Sequence, residues 1–163
     1  MAGKTLIMKK ILLPLALFGS GYAATAQKPD AAIDVLHYRF EVVLSDQSDL
    51  IKGKAQLQYR VLHPEKKIQL DLIPADGSGK GMKVLAVEAE GLQKFEHRSD
   101  RLSLYFNEEK ETGTVQKAEI TYEGIPADGL IIGRNKSGHR VFFADHWPER
   151  AHHWLASCVV SSG

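Results

Sequence analysis

Ile51-Lys52-Gly53-Lys54-Ala55-Gln56-Leu57-Gln58-Tyr59-Arg60-Val61 is the stretch that decides the fold class. Ile51, Ala55, Leu57, Tyr59 and Val61 occupy odd positions, and Lys52, Lys54, Gln56, Gln58 and Arg60 the even ones. Successive side chains of an extended chain point to opposite faces, so this alternation describes a strand with one buried face and one wet face. Upstream, residues 36–42 place Leu36, Tyr38, Phe40 and Val42 at even positions, and Val43-Leu44 continue the apolar run. The intervening Ser45-Asp46-Gln47-Ser48-Asp49 is rich in residues that hydrogen-bond their own backbone, so the two segments read as a hairpin.

Shorter strands are expected at 67–73, 82–90, 101–106 and 114–122, and a last pair at 130–132 and 140–143 around Asn135-Lys136-Ser137-Gly138. Breaks fall at 74–79, at Gly91, at 98–100 and at 107–113. No segment between Gln27 and Phe143 carries a helical period. Short strands with turn signals at this spacing predict an all-β, antiparallel two-sheet sandwich. Residues 144–163 do not alternate and read as an irregular C-terminal edge.

The chain has 163 residues, 44% of them hydrophobic and 25% charged, which suits one ordinary globular domain. A formal net charge of +1 leaves no concentrated basic face, which argues against a nucleic-acid partner. Lys9 and Lys10 precede the apolar run Ile11 to Phe18, and Ala24-Thr25-Ala26 follows. A basic start, a short apolar stretch and an Ala-x-Ala site describe a secretory signal peptide over residues 1–26. The run is too short for a membrane span, which needs roughly 20 apolar residues, so export to the periplasm or medium is expected, without a stable anchor. Loss of Lys4, Lys9 and Lys10 would leave 18 basic against 20 acidic residues. Cys158 is the single cysteine, so no internal disulfide is possible.

A resemblance covers about residues 33–157. The segment 124–133 (Gly-Ile-Pro-Ala-Asp-Gly-Leu-Ile-Ile-Gly), followed by Phe142-Phe143-Ala144-Asp145-His146-Trp147-Pro148-Glu149-Arg150-Ala151-His152-His153-Trp154-Leu155, is similar to the end of the N-terminal domain of aminopeptidase N-like zinc metallopeptidases. The exported bacterial branch often carries such an Asp-x-Trp-Pro-x-Arg-Ala stretch. Asp34 to Glu41 resembles the family's opening strand, and Gln69-Leu70-Asp71-Leu72 with Met82 to Val87 its third and fourth. The resemblance implies a saddle-shaped β domain at 27–157, an irregular tail at 158–163, and a thermolysin-like catalytic domain as its normal partner. The family continues with a Pro, a small residue and an Asp-x-Pro step, where this sequence has Ala156 to Gly163, so it implies a chain truncated before that domain.

The family's catalytic helix carries His-Glu-x-x-His, in which two His one turn apart bind zinc and the Glu is general base on the bound water. None of the seven histidines here is followed by Glu. The chain is therefore expected to be no enzyme by itself and to hold no metal or cofactor, zinc belonging to the absent catalytic domain. Gly-rich phosphate loops and Gly-x-Ser-x-Gly elbows are also missing. His146, His152 and His153 form the tightest imidazole group. Adjacent His152 and His153 would face opposite ways in extended chain, which speaks against a metal site. Cys158 has no fixed base that would make it a nucleophile.

In the family this loop lends a Gln or Glu to the substrate's free amino group. The resemblance puts that role near Asp145, Trp147 and Glu149, with Trp147 offering a cation–π face. Trp147, Trp154 and Leu155 are expected at the interface with the catalytic domain, since aromatic residues mark interface cores. The leading expectation is a non-catalytic domain that walls the peptide-binding cleft of a zinc aminopeptidase. The alternative is a free-standing exported β-sandwich that binds a peptide, by its N-terminus, or a protein.

Overall fold

The computed structural model describes residues 32–147 and 149–158. The signal-peptide expectation for residues 1–26 and the tail beyond Cys158 lie outside the described residues. Among those described, the strands are β1 (Ile33–Val43), β2 (Ile51–Val61), β3 (Glu65–Asp71), β4 (Gly81–Ala89), β5 (Leu92–Arg98), β6 (Arg101–Lys110), β7 (Val115–Ile125), β8 (Leu130–Arg134) and β9 (Arg140–Ala144). A short 3₁₀ helix, Ala151–His153, follows. Every strand pair is antiparallel, in sheets ordered β1-β2-β7-β4, β3-β6-β5 and β8-β9.

The decisive segment is β2, paired on both sides, with Leu57 opposite Tyr38 on β1 and Ala118 on β7. Its odd side chains are buried and its even ones are at least partly exposed, as alternation requires. Ile51, Leu57, Tyr59 and Val61 join Ile120 and Tyr122 of β7 on the inner face of the four-stranded sheet. Ile68 and Leu70 of β3 and Leu102, Leu104 and Phe106 of β6 complete the same buried cluster from the three-stranded sheet. Each such side chain contributes about 1.5–3 kcal/mol by leaving water, so two facing sheets suffice to hold the chain without a disulfide.

Bulges account for the differences from the sequence expectation. One extra residue between Val35 and His37 turns Leu36 outward, although alternation had put it on the core face; Val35 is half-buried instead. A second bulge between Val84 and Ala86 leaves Leu85 exposed. Strand β5 was not expected. Its register shifts between Leu92 and Lys94, so Leu92 and Phe95 lie three apart and the two-residue period is broken. Strand β6 runs on to Lys110 through a stretch that reads as a break, with Asn107 N donating to Gly91 O at 3.0 Å.

The third sheet stands on the core with one face. Leu130 is buried and Ile132 and Phe142 pack against the cluster, while the cross-strand partners Ile131 and Phe143 are exposed. Arg140 of β9 is paired with Asp49 in the β1–β2 turn, which ties the hairpin to the larger sheet.

Candidate functional site

The segment after β9 begins with an ion-paired loop. Asp145 N donates to Gly129 O at 2.8 Å, and Gly129 N to Asp128 Oδ1 at 2.8 Å. Arg150 reaches Asp145 Oδ2 at 3.2 Å and Asp128 Oδ2 at 3.5 Å, and its amide donates to His146 O at 3.1 Å. Gly129 has φ of 75°, and a side chain there would collide with the Arg150 carbonyl, so only glycine lets the two loops approach. The loop is thus braced at both ends.

That brace holds up Trp147, whose amide donates to Asp145 Oδ1 at 3.3 Å and whose side chain is 81% exposed. Glu149 is exposed beside it. Asp145 is half-buried and engaged by Arg150, so its carboxylate organises the loop more than it faces solvent. The three residues singled out from the sequence therefore sit on one loop, with Trp147 as its projecting group.

Trp154 does not share this exposure. It is 8% exposed and belongs to the core, Ala156 is fully buried, and Leu155 packs against the cluster. The expectation that Trp154 lies open at an interface is corrected here: the chain turns through the 3₁₀ helix and lays residues 151–158 along β3. Ile73 N donates to His152 O at 2.9 Å, Asp71 N to Ser157 O at 2.6 Å and Ser157 N to Asp71 O at 3.2 Å. Cys158 N donates to the Tyr38 hydroxyl at 2.7 Å. Paired backbone lets apolar groups at an irregular edge enter the core without leaving amides bare.

The histidines also differ from expectation. Because His152 and His153 lie in a 3₁₀ turn, not in extended chain, their rings meet at 4.7 Å. The His146 ring lies 5.5 Å from that of Trp154. Burial, and then the neighbouring His152, lower the basicity of His153. Among the described residues no group of three or more His, Cys, Asp or Glu stands in position to hold a metal ion. Burial pushes the Cys158 thiol up, its Sγ lies 3.7 Å from Gln69 O, and a protonated thiol is a poor nucleophile.

Sequence reasoning missed His97. Its Nε2 lies 2.9 Å from Leu72 O and so carries the proton, while burial lowers its basicity. Nothing in its local pattern separates it from a surface histidine, since its partner sits on a different strand.

The outer face of the four-stranded sheet forms a groove of about 710 Å³ with Arg39, Gln56, Glu119 and Glu88 in a row across it. Its charges largely answer one another. Glu119 takes hydrogen bonds from Gln56 and Lys54, both at 2.6 Å, which hold its carboxyl below the usual range, and Arg39 pairs with Glu41 at 2.9 Å. This is the wet face that β2 announces.

An all-β domain with a braced aromatic loop beside a strapped edge is the class these features define. The sequence matches no family model and no curated protein. Solved structures do share the fold. A mutant M1 zinc metallopeptidase from Deinococcus radiodurans, bound to a Tyr-Ser-Ala substrate, superposes with TM-score 0.61 at 20% identity over 79% of this chain and 29% of that one. The M1 zinc metallopeptidase of the same organism gives 0.59 at 19% identity, with the same coverage. A two-domain M1 zinc metallopeptidase mutant bound to L-tryptophan gives 0.60 at 21% identity, over 77% of this chain and 29% of that one. At these identities the likeness is one of fold, and the chain spans less than a third of the length of those proteins.

Proposed function

We propose that this chain is the non-catalytic N-terminal β domain of a zinc aminopeptidase-like metallopeptidase, exported, and walling the peptide-binding cleft of a catalytic domain. The observation that carries the reading is Trp147, an aromatic side chain almost wholly in water on a loop braced by Asp145, Arg150 and Asp128. A large apolar group held rigidly in solvent gains by finding a second surface, and little ordering entropy is lost when it does. The exposed Ile131–Phe143 pair offers further area on the hairpin that precedes this loop. Shared fold over part of a longer metallopeptidase supports the same partner. Zinc belongs to that partner, and Asp145, Trp147 and Glu149 line the side of the cleft that meets a peptide's free amino group.

The test mixes the chain with a separately produced catalytic portion of an M1 zinc metallopeptidase and follows association by calorimetry and hydrolysis of aminoacyl amides. The chain alone is expected to be inactive with or without zinc, to associate, and to lose most of its affinity in Trp147→Ser. Absence of association, or association untouched by that change, overturns the reading. Capture of free peptides by the chain alone, sensitive to Trp147→Ser, would favour a free-standing binding module instead.

A further inference from the structure

Three histidines converge where β3 gives way to the loop that follows. His97 Nε2 bonds Leu72 O, the next amide, Ile73 N, bonds His152 O, and the His152 and His153 rings lie against each other. The Nδ1 atoms of His152 and His153 are both shut away from solvent with no hydrogen-bond partner. A neutral ring tolerates a bare acceptor nitrogen at modest cost, whereas a proton there creates a buried cationic donor with nothing to receive it.

We propose that residues 151–158 are a pH-released strap, held closed while His153, packed against His152 with its Nδ1 buried and unpartnered, is neutral, and let go when His153 takes up a proton. The inference does not depend on the function proposed above. Opening breaks the Asp71–Ser157, Ile73–His152 and Tyr38–Cys158 hydrogen bonds and brings Trp154 into water.

Other charges near the pair act in both directions. Asp128 and Asp100 favour the charged form of His153, while Arg150 opposes it; Asp100 also favours the charged form of His97. Burial outweighs the carboxylates at both His153 and His97, and each is less basic in the folded chain than a free imidazole. The open state therefore binds more protons between that lowered value and about 6.5, and the closed strap loses stability as pH falls through this window. The two aspartates oppose the effect without reversing its direction.

Trp147→Phe leaves Trp154 as the one tryptophan, since the chain has two. In this variant, the emission of Trp154 is expected to shift to the red between about pH 7.5 and about pH 5.5, while the far-ultraviolet circular dichroism of the sheets stays constant. Adding His152→Gln and His153→Gln should abolish the shift. Should that variant fail to fold, amide exchange in the unmutated chain decides. Protection of Ile73 and Ser157 should fall about tenfold per pH unit for each extra proton bound on opening, with Leu57 in the central ladder unchanged. Flat emission or flat protection overturns the proposal. So does a shift that survives in the folded glutamine variant, or one that coincides with loss of the sheets.

Discussion

The main chains of Asp71 and Ser157 are joined in both directions, Asp71 N donating to Ser157 O at 2.6 Å and Ser157 N to Asp71 O at 3.2 Å. This isolated antiparallel bridge lies on the edge of β3, where an open strand would otherwise show unpaired amides. The Asp71 side chain meanwhile holds Arg101 of the neighbouring strand at 2.6 Å. One residue therefore couples the irregular edge to the middle of the three-stranded sheet.

The two tryptophans, seven positions apart, should respond very differently to truncation. Trp154 is part of the core, so Trp154→Ala is expected to cost about 3–5 kcal/mol. Trp147→Ala removes a side chain that is 81% exposed and should change stability by no more than about 0.5 kcal/mol. Urea unfolding of both variants, followed by circular dichroism, measures the contrast. Equal midpoints would mean that the strap is no part of the folded core.

A half-buried tyrosine, Tyr38, and a fully buried one, Tyr59, make an analogous pair. The Tyr38 hydroxyl receives the Cys158 amide at 2.7 Å, so Tyr38→Phe strands a donor and should destabilise the chain by about 1–3 kcal/mol. The Tyr59 hydroxyl is buried without a partner, and burial pushes its pKa up to about 12. Tyr59→Phe removes a polar group that gains nothing from its surroundings, so that variant should be neutral or slightly stabilised. Thermal melts at neutral pH separate the two. Loss of stability in Tyr59→Phe would reveal a hydrogen bond to that hydroxyl.

Arg150 joins Asp128 and Asp145, and all three side chains are more than a third exposed, so Arg150→Ala should alter global stability by less than about 1 kcal/mol. Its effect should appear at Trp147 instead, because the brace that fixes residues 145–150 is lost. Fluorescence anisotropy decay of Trp147, recorded in a Trp154→Phe background, is expected to show faster local motion. Unchanged decay would mean that Gly129 and the Asp145 main chain suffice to hold the loop.

Much of this architecture is legible locally. Alternation in β2, turn residues at 45–49 and the Asn135-Lys136-Ser137-Gly138 turn all act on neighbours in the chain, and each appears where the sequence puts it. Bulges are not legible in this way: one inserted residue sends Leu36 and Leu85 outward while leaving composition unchanged. The fate of Trp154 was hidden for a different reason. Its burial depends on backbone partners at Asp71 and Ile73, so no pattern in residues 144–158 could place it inside. The brace beneath Trp147 was not legible either, since Asp128 precedes β8 and Arg150 follows β9.

Gly53 supplies the most stringent test of the packing between β2 and β7. Glycine inside a strand is ordinarily a weakness, and alanine in its place should help by roughly 0.5–1 kcal/mol through reduced freedom of the unfolded chain. At Gly53 the opposite is expected. Its cross-strand partner is Tyr122, and the tyrosine ring lies over the glycine where a methyl group would have to go. Tyr122 is fully buried, so the ring cannot swing aside into solvent. Gly53→Ala should therefore lose about 1–3 kcal/mol by overpacking, despite its better intrinsic propensity. Tyr122→Leu makes room at that point, so the double variant should be more stable than the sum of the single losses allows, a coupling readable in a double-mutant cycle. Neutral or stabilising behaviour of Gly53→Ala, or strict additivity with Tyr122→Leu, would show that the ring does not rest on the glycine.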